Sequence, residues 1–135
     1  MLRSATLAVL GLTFAVASGC GGKPKGEESP KKVYTVRGLV RDLPNPQRPG
    51  SEFSVHHEAI DDFVGIRGEV VGMSSMTMPF PVADGIDLDG VAVGDPVEIT
   101  MEIDWDGDPP VLVTAVRELP AGTPLEFRKA RPPTD

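Results

Sequence analysis

The sequence contains one cysteine in 135 residues, Cys20, so no disulfide can form within the chain. Whatever holds the fold together is packing or a bound ligand, not a covalent staple. Aromatic residues make up only 5% of the chain, which leaves a mainly aliphatic core. Positive charge is short as well: 13 Lys and Arg stand against 20 Asp and Glu, for a formal net charge of −7. Phosphate binding relies on surplus Lys and Arg, so nucleic acid is excluded as a partner. Catalytic patterns are also missing. No serine or cysteine nucleophile has a base beside it apart from the adjacent pair His56-His57, and that pair lacks the second half of a His-Glu-x-x-His zinc-protease motif. Asp104, Asp106 and Asp108 fail as a calcium loop, because Gly107 comes too early and the twelfth position is Ala115, where such a loop needs Glu. The chain is therefore read as a non-enzyme.

Long hydrophobic runs are absent except at the N-terminus. After Arg3, residues 5–17 carry no charge, and the small residues Ser18 and Gly19 precede Cys20. A spanning helix needs roughly 20 apolar residues, so residues 1–19 read as an export signal that is removed. Ala17-Ser18-Gly19-Cys20 resembles the bacterial lipobox, whose cysteine is lipidated and becomes the new N-terminus; Ala17 stands where Leu is preferred. The alternative is an ordinary signal peptide with a chance cysteine. Lipidation would cap a thiol that is otherwise a liability in an oxidising compartment. The mature chain then has 116 residues, with 12 positive and 20 negative side chains. Gly21 is not the aspartate associated with inner-membrane retention, so the expected location is the periplasmic face of the outer membrane in a host that has one.

Residues 20–32, rich in Gly, Lys, Glu and Pro, cannot bury enough apolar surface to offset the entropy of ordering, and form a disordered tether. Residues 120–135 behave alike: a Pro-rich charged tail, expected to be disordered, in which only Leu125 and Phe127 are available to dock on a core. Between them, residues 33–119 alternate apolar and polar positions in short runs broken by Gly, Pro and Asp. Five strands are predicted, at 33–43, 52–58, 76–83, 97–104 and 111–119, with Asp106-Gly107 as a hairpin turn signal between the last two. Five short strands with no disulfide favour closure of the sheet, so the expected fold is all-β, a small five-stranded OB-like barrel. A β-sandwich needs about seven strands.

The chemistry concentrates in His56-His57-Glu58-Ala59-Ile60 and in Met73-Ser74-Ser75-Met76-Thr77-Met78-Pro79-Phe80. Three of the chain's five methionines fall within six residues. A thioether is a neutral, soft ligand that selects copper(I) or silver(I) over magnesium, calcium or zinc. Period two alone also allows a plainer reading, in which Met76, Met78 and Phe80 share one strand face as core filler. The same parity separates the two histidines. Only His57 shares the side of Phe53 and Val55, so His57 is the candidate ligand and His56 is expected to be solvated.

These two strings resemble the CusF-like periplasmic copper-binding proteins, over approximately residues 34–117. The resemblance implies a five-stranded OB-type barrel that binds one copper(I) or silver(I) through the histidine before Glu and the two methionines flanking Thr. Here those are His57, Met76 and Met78. In the best-known members a tryptophan caps the ion three residues before the first methionine; this chain has Met73 there, which either coordinates directly or shields the ion. Trp105, the only tryptophan, lies beside the predicted turn and is not carried over as a cap. Loop 61–72 is longer than in the shortest members and is expected to form a small hairpin around Gly65-Ile66-Arg67-Gly68 that folds over the site. The resemblance further implies copper buffering, delivery or efflux, with a copper efflux pump or a copper-enzyme assembly factor as partner. The competing reading is an OB-type lipoprotein interaction module that binds no metal.

Overall fold

The computed structural model describes residues 31–134; the expected export signal, Cys20 and most of the tether lie outside the described residues. Five strands are present, β1 Lys32–Asp42, β2 Ser54–His57, β3 Met76–Pro79, β4 Pro96–Ile103 and β5 Val111–Glu118, and among the described residues there is no helix. All five match predicted runs. The largest difference is at β3, expected to reach residue 83 but ending at Pro79, because Pro79 and Pro81 have no N–H to give to a ladder.

The strands form one antiparallel sheet in the order β3-β2-β1-β4-β5. The ladder does not close, but its two edges meet. Just beyond β3, Val82 makes a parallel bridge to Val113 of β5, in which Ala83 N–H donates to Val113 O at 2.9 Å and Val113 N–H to Pro81 O at 2.8 Å. Register shifts at Val40/Asp42 and Thr100/Met101 bend the long strands. The result is the OB-like barrel expected, with both sheet edges protected.

Strand alternation fills the interior. Along β4, Val97, Ile99, Met101 and Ile103 are buried while Pro96, Glu98, Thr100 and Glu102 are not, and Val36 and Val40 of β1 face the same core. Each such side chain contributes about 1.5–3 kcal/mol by leaving water. Gly38 lies opposite both Val97 of β4 and His57 of β2. A Cβ there would come within 2.5 Å of His56 O and 2.9 Å of His57 Cα, so the missing side chain lets β1 and β2 approach closely at the histidine pair.

Loop 61–72 is the expected small hairpin. Val64 bridges Val70, and Gly68 N–H closes the turn on Gly65 O at 2.9 Å. It leans on the start of β1 and the β4–β5 turn. Phe63 lies 5.3 Å from the Tyr34 ring and 6.1 Å from Trp105, Val64 N–H donates to Tyr34 Oη at 2.9 Å, and Trp105 Nε1 donates to Val64 O at 3.3 Å. Trp105 is thus engaged by this hairpin. The Asp106-Gly107 signal does mark a turn, with Gly107 N–H on Asp104 O at 2.8 Å, but the connection from β4 to β5 is longer than a two-residue hairpin, spanning residues 104–110. The aspartates there are turn formers: Asp104 accepts from Asp106 N–H at 3.1 Å.

Candidate metal site

His57 ends β2 on the inner face, in line with Phe53 and Val55, and its side chain is fully buried. It is the only buried polar side chain among the described residues. Its Nδ1 lies 2.6 Å from Glu58 O. A carbonyl oxygen only accepts, so Nδ1 carries the proton and Nε2 is left with its lone pair. Nε2 is buried and has no hydrogen-bond partner. A buried acceptor left unpaired costs about 1–3 kcal/mol, and a ring whose other nitrogen is fixed on a backbone carbonyl is the arrangement in which imidazole serves a metal. Burial also pushes the His57 pKa below the ordinary 6.5, outweighing the opposite pull of the Glu58 carbonyl; the neighbouring His56 lowers it further. The nitrogen is thereby kept free of protons. Glu58 is itself fixed by the Arg37 guanidinium, two 3.0 Å bonds made in parallel.

β3 supplies the sulfurs. Its register with β2 places Met76 opposite His57, Met78 opposite Val55 and Thr77 opposite His56. Directly paired residues share a face, so the two methionines lie on the inner side with His57, and His56 with Thr77 on the outer. His56 Nδ1 meets Thr77 Oγ1 at 2.8 Å there. Exposure falls along the inner row of β3: Met76 is 45% exposed, Met78 is partly buried against the core, and Phe80 is buried. A pure core filler would be covered, and Met76 is not. Phe80 stands edge-on to His57 with centroids 6.1 Å apart.

Met73 comes from the loop but is firmly placed. It exchanges two 2.8 Å backbone hydrogen bonds with Ile60, packs partly buried against the core, and lies near His57. The fold therefore places His57, Met73 and Met76 at one end of the β2–β3 pair, with Met78 two residues further along the same face. Among the described residues no three His, Cys, Asp or Glu side chains cluster to hold a metal. Among the described residues His57 therefore belongs to no His/Cys/Asp/Glu cluster, and the side chains that share its face on β3 are thioethers.

One expectation is modified. His56 is on the outer face but is only partly exposed, because the Phe127 ring of the tail stands edge-on to it at 4.2 Å. The tail, expected to be disordered like the tether, is instead laid against the barrel through polar contacts that its composition did not advertise. Arg128 forms two 2.8 Å bonds with the Asp61 carboxylate, whose pKa is lowered to about 2, first by Arg128 and then by the Arg131 N–H.

A family model described as copper binding periplasmic protein CusF matches residues 47–118, more than half of the chain. The match includes all four candidate ligands and stops short of the docked part of the tail. No curated protein and no solved structure matches the chain.

Proposed function

The chain belongs to the CusF family of periplasmic copper-binding proteins, and from that membership we propose that it is an exported, non-enzymatic carrier of a single copper(I), or of silver(I) in its place. His57 Nε2 and the sulfurs of Met76 and Met78 are the ligands, with Met73 as a fourth sulfur or a shield. The observation that carries this reading is the buried, unpartnered Nε2 of His57 on a strand paired with the one that carries Met76 and Met78 on the same face. Thioethers carry no proton to lose and favour copper(I), so such a site works where thiolates are at risk of oxidation. The metal-free interaction module is favoured by Met73 and Met78, which pack on the core. It leaves the buried Nε2 and the exposed Met76 without a reason.

The protein without its export signal should take up one equivalent of copper(I) or silver(I) in competition with a copper(I) chelator under reducing conditions. Zinc bound as tightly as copper(I), or several coppers of equal affinity, would overturn the reading. With Met76 45% exposed, one ligand is open to an acceptor, which suits buffering and hand-over to an efflux pump or a copper-enzyme assembly factor.

Attachment to the membrane through a lipid on Cys20 belongs to the same proposal. Two acyl chains on a thioether-linked glycerol, at about 0.8 kcal/mol per buried CH₂, are enough to hold a small acidic domain at the bilayer. Cys20→Ser should move the protein from the membrane pellet to the soluble exported fraction. A Ser variant that stays with the membrane refutes the lipid anchor.

A further inference from the structure

The tail lies against the backbone neighbours of the candidate ligands. On the histidine side, Glu126 N–H donates to Glu58 Oε1 at 2.7 Å and Phe127 covers His56, the two residues flanking His57. On the methionine side, Ser75 N–H donates to Arg128 O at 2.9 Å while Arg128 N–H donates back to Ser75 Oγ at 2.9 Å. Ala130 N–H donates to Ser74 Oγ at 3.0 Å. A Cβ on Gly72 would come within 2.8 Å of the Ala130 Cβ and 2.9 Å of Pro132, and its positive φ of 68° further restricts the site to glycine. The residues on both sides of Met73, and the one before Met76, are thus held by the same short piece of chain. That piece is anchored to the barrel by the Arg128–Asp61 fork and by Arg131 N–H on Asp61 Oδ1 at 2.7 Å.

We propose that residues 126–131 form a clasp that positions the Met73–Met76 segment against His57, making Asp61, Ser75 and Arg128 positioning residues for the metal site. This rests on the copper(I) reading above. The physical basis is preorganisation. Ser74 and Ser75 lie outside the named strands and β3 is a four-residue strand at the end of the ladder, so between the Met73–Ile60 bridge and β3 the tail supplies the contacts that fix the linking segment. Ordering them at the moment of binding would cost part of the affinity, and a clasp formed beforehand removes that cost. Residues 126–131 lie beyond the segment the family model matches.

The test uses the full mature chain and compares the parent with Asp61→Ala, Arg128→Ala, the double variant, and Ser75→Ala, which leaves the ion pair intact. Copper(I) affinity is read by chelator competition, silver(I) binding by the methionine methyl resonances, and the metal-free fold by circular dichroism. The expected result is a loss of about tenfold or more for each of Asp61→Ala and Arg128→Ala, the range seen when groups that orient metal ligands are removed. The double variant should lose little more than Asp61→Ala alone, because that substitution already removes both the Arg128 fork and the Arg131 N–H bond. The silver(I)-induced shifts of the Met73 and Met76 methyl resonances should be smaller than in the parent while the circular dichroism of the metal-free protein stays parent-like, a combination that general unpacking would not give. Should Arg128→Ala unfold, Ser75→Ala carries the test through the same readouts. Parent-like affinity and parent-like methyl shifts in the folded variants overturn the clasp while leaving the copper reading intact. A parent that binds no copper(I) overturns both.

Discussion

His57→Ala should reduce copper(I) affinity by at least about 100-fold, while His56→Ala changes it little, as measured by chelator competition. Removing groups that merely orient a ligand costs 10–100-fold, and loss of the ligand itself exceeds that. The two residues are adjacent, but strand alternation sends His57 inward, fully buried, and His56 outward to Thr77 and Phe127. The fold should survive. The lost ring leaves a cavity, yet it also removes an unpaired buried nitrogen, so metal-free stability should fall by about 1–3 kcal/mol in a protein with an ordinary reserve of about 5–15. Equal losses for the two variants would show that neighbouring charge, not ligation, is being measured. A pH test follows from the same burial. Burial holds the folded pKa of His57 below 6.5, so Nε2 is more than half unprotonated at pH 6.5, and copper(I) uptake should persist to lower pH than for a solvated imidazole. Metal-free stability should behave differently. Above 6.5 the imidazole is neutral whether folded or unfolded; below it the unfolded chain takes up the proton first, so stability declines until the pH passes the folded pKa.

Met76→Leu and Met78→Leu should each weaken copper(I) binding by about tenfold or more, and the double variant should abolish tight binding, with the barrel intact. Leucine keeps the apolar volume and deletes only the sulfur, a swap that usually costs less than about 1.5 kcal/mol even in a core. The two positions differ in a way that sharpens the comparison. Met76 is 45% exposed, so its substitution should leave thermal stability nearly unchanged, whereas Met78 packs partly buried against the core and should show a small packing cost. Loss of binding at Met76→Leu with no change in melting temperature would separate ligation from packing. Parent-like binding by both single variants and by the double variant would return these methionines to the role of core filler.

The faces of His57, Met76 and Met78 were legible in the sequence because each sits in a strand, where period two fixes a face. Their role as ligands, and that of Met73 outside the strands, came only from the family resemblance. His57 is on the side of Phe53 and Val55, and Met76 is on the side of Met78 and Phe80, and no knowledge of the partner strand is needed to say so. The five strands were readable for the same reason, with β3 overextended because the prolines at 79 and 81 were given too little weight as terminators. The tail was not legible in this way. Arg128 and Asp61 are 67 residues apart and belong to no periodic pattern, so nothing local distinguishes them from charges that face water.

The sequence by itself determined which side chains face inward, which ligand chemistry they offer and which metals that chemistry prefers, because these depend on alternation and on the softness of sulfur. Only the tertiary structure decided the rest. It set the register that puts Met76, and not Met78, opposite His57. It gave the proton to Nδ1 through Glu58 O and left Nε2 bare. It laid the tail along residues 72–75, where reciprocal backbone and hydroxyl hydrogen bonds, each dependent on positions far apart in the chain, hold the methionine loop in place.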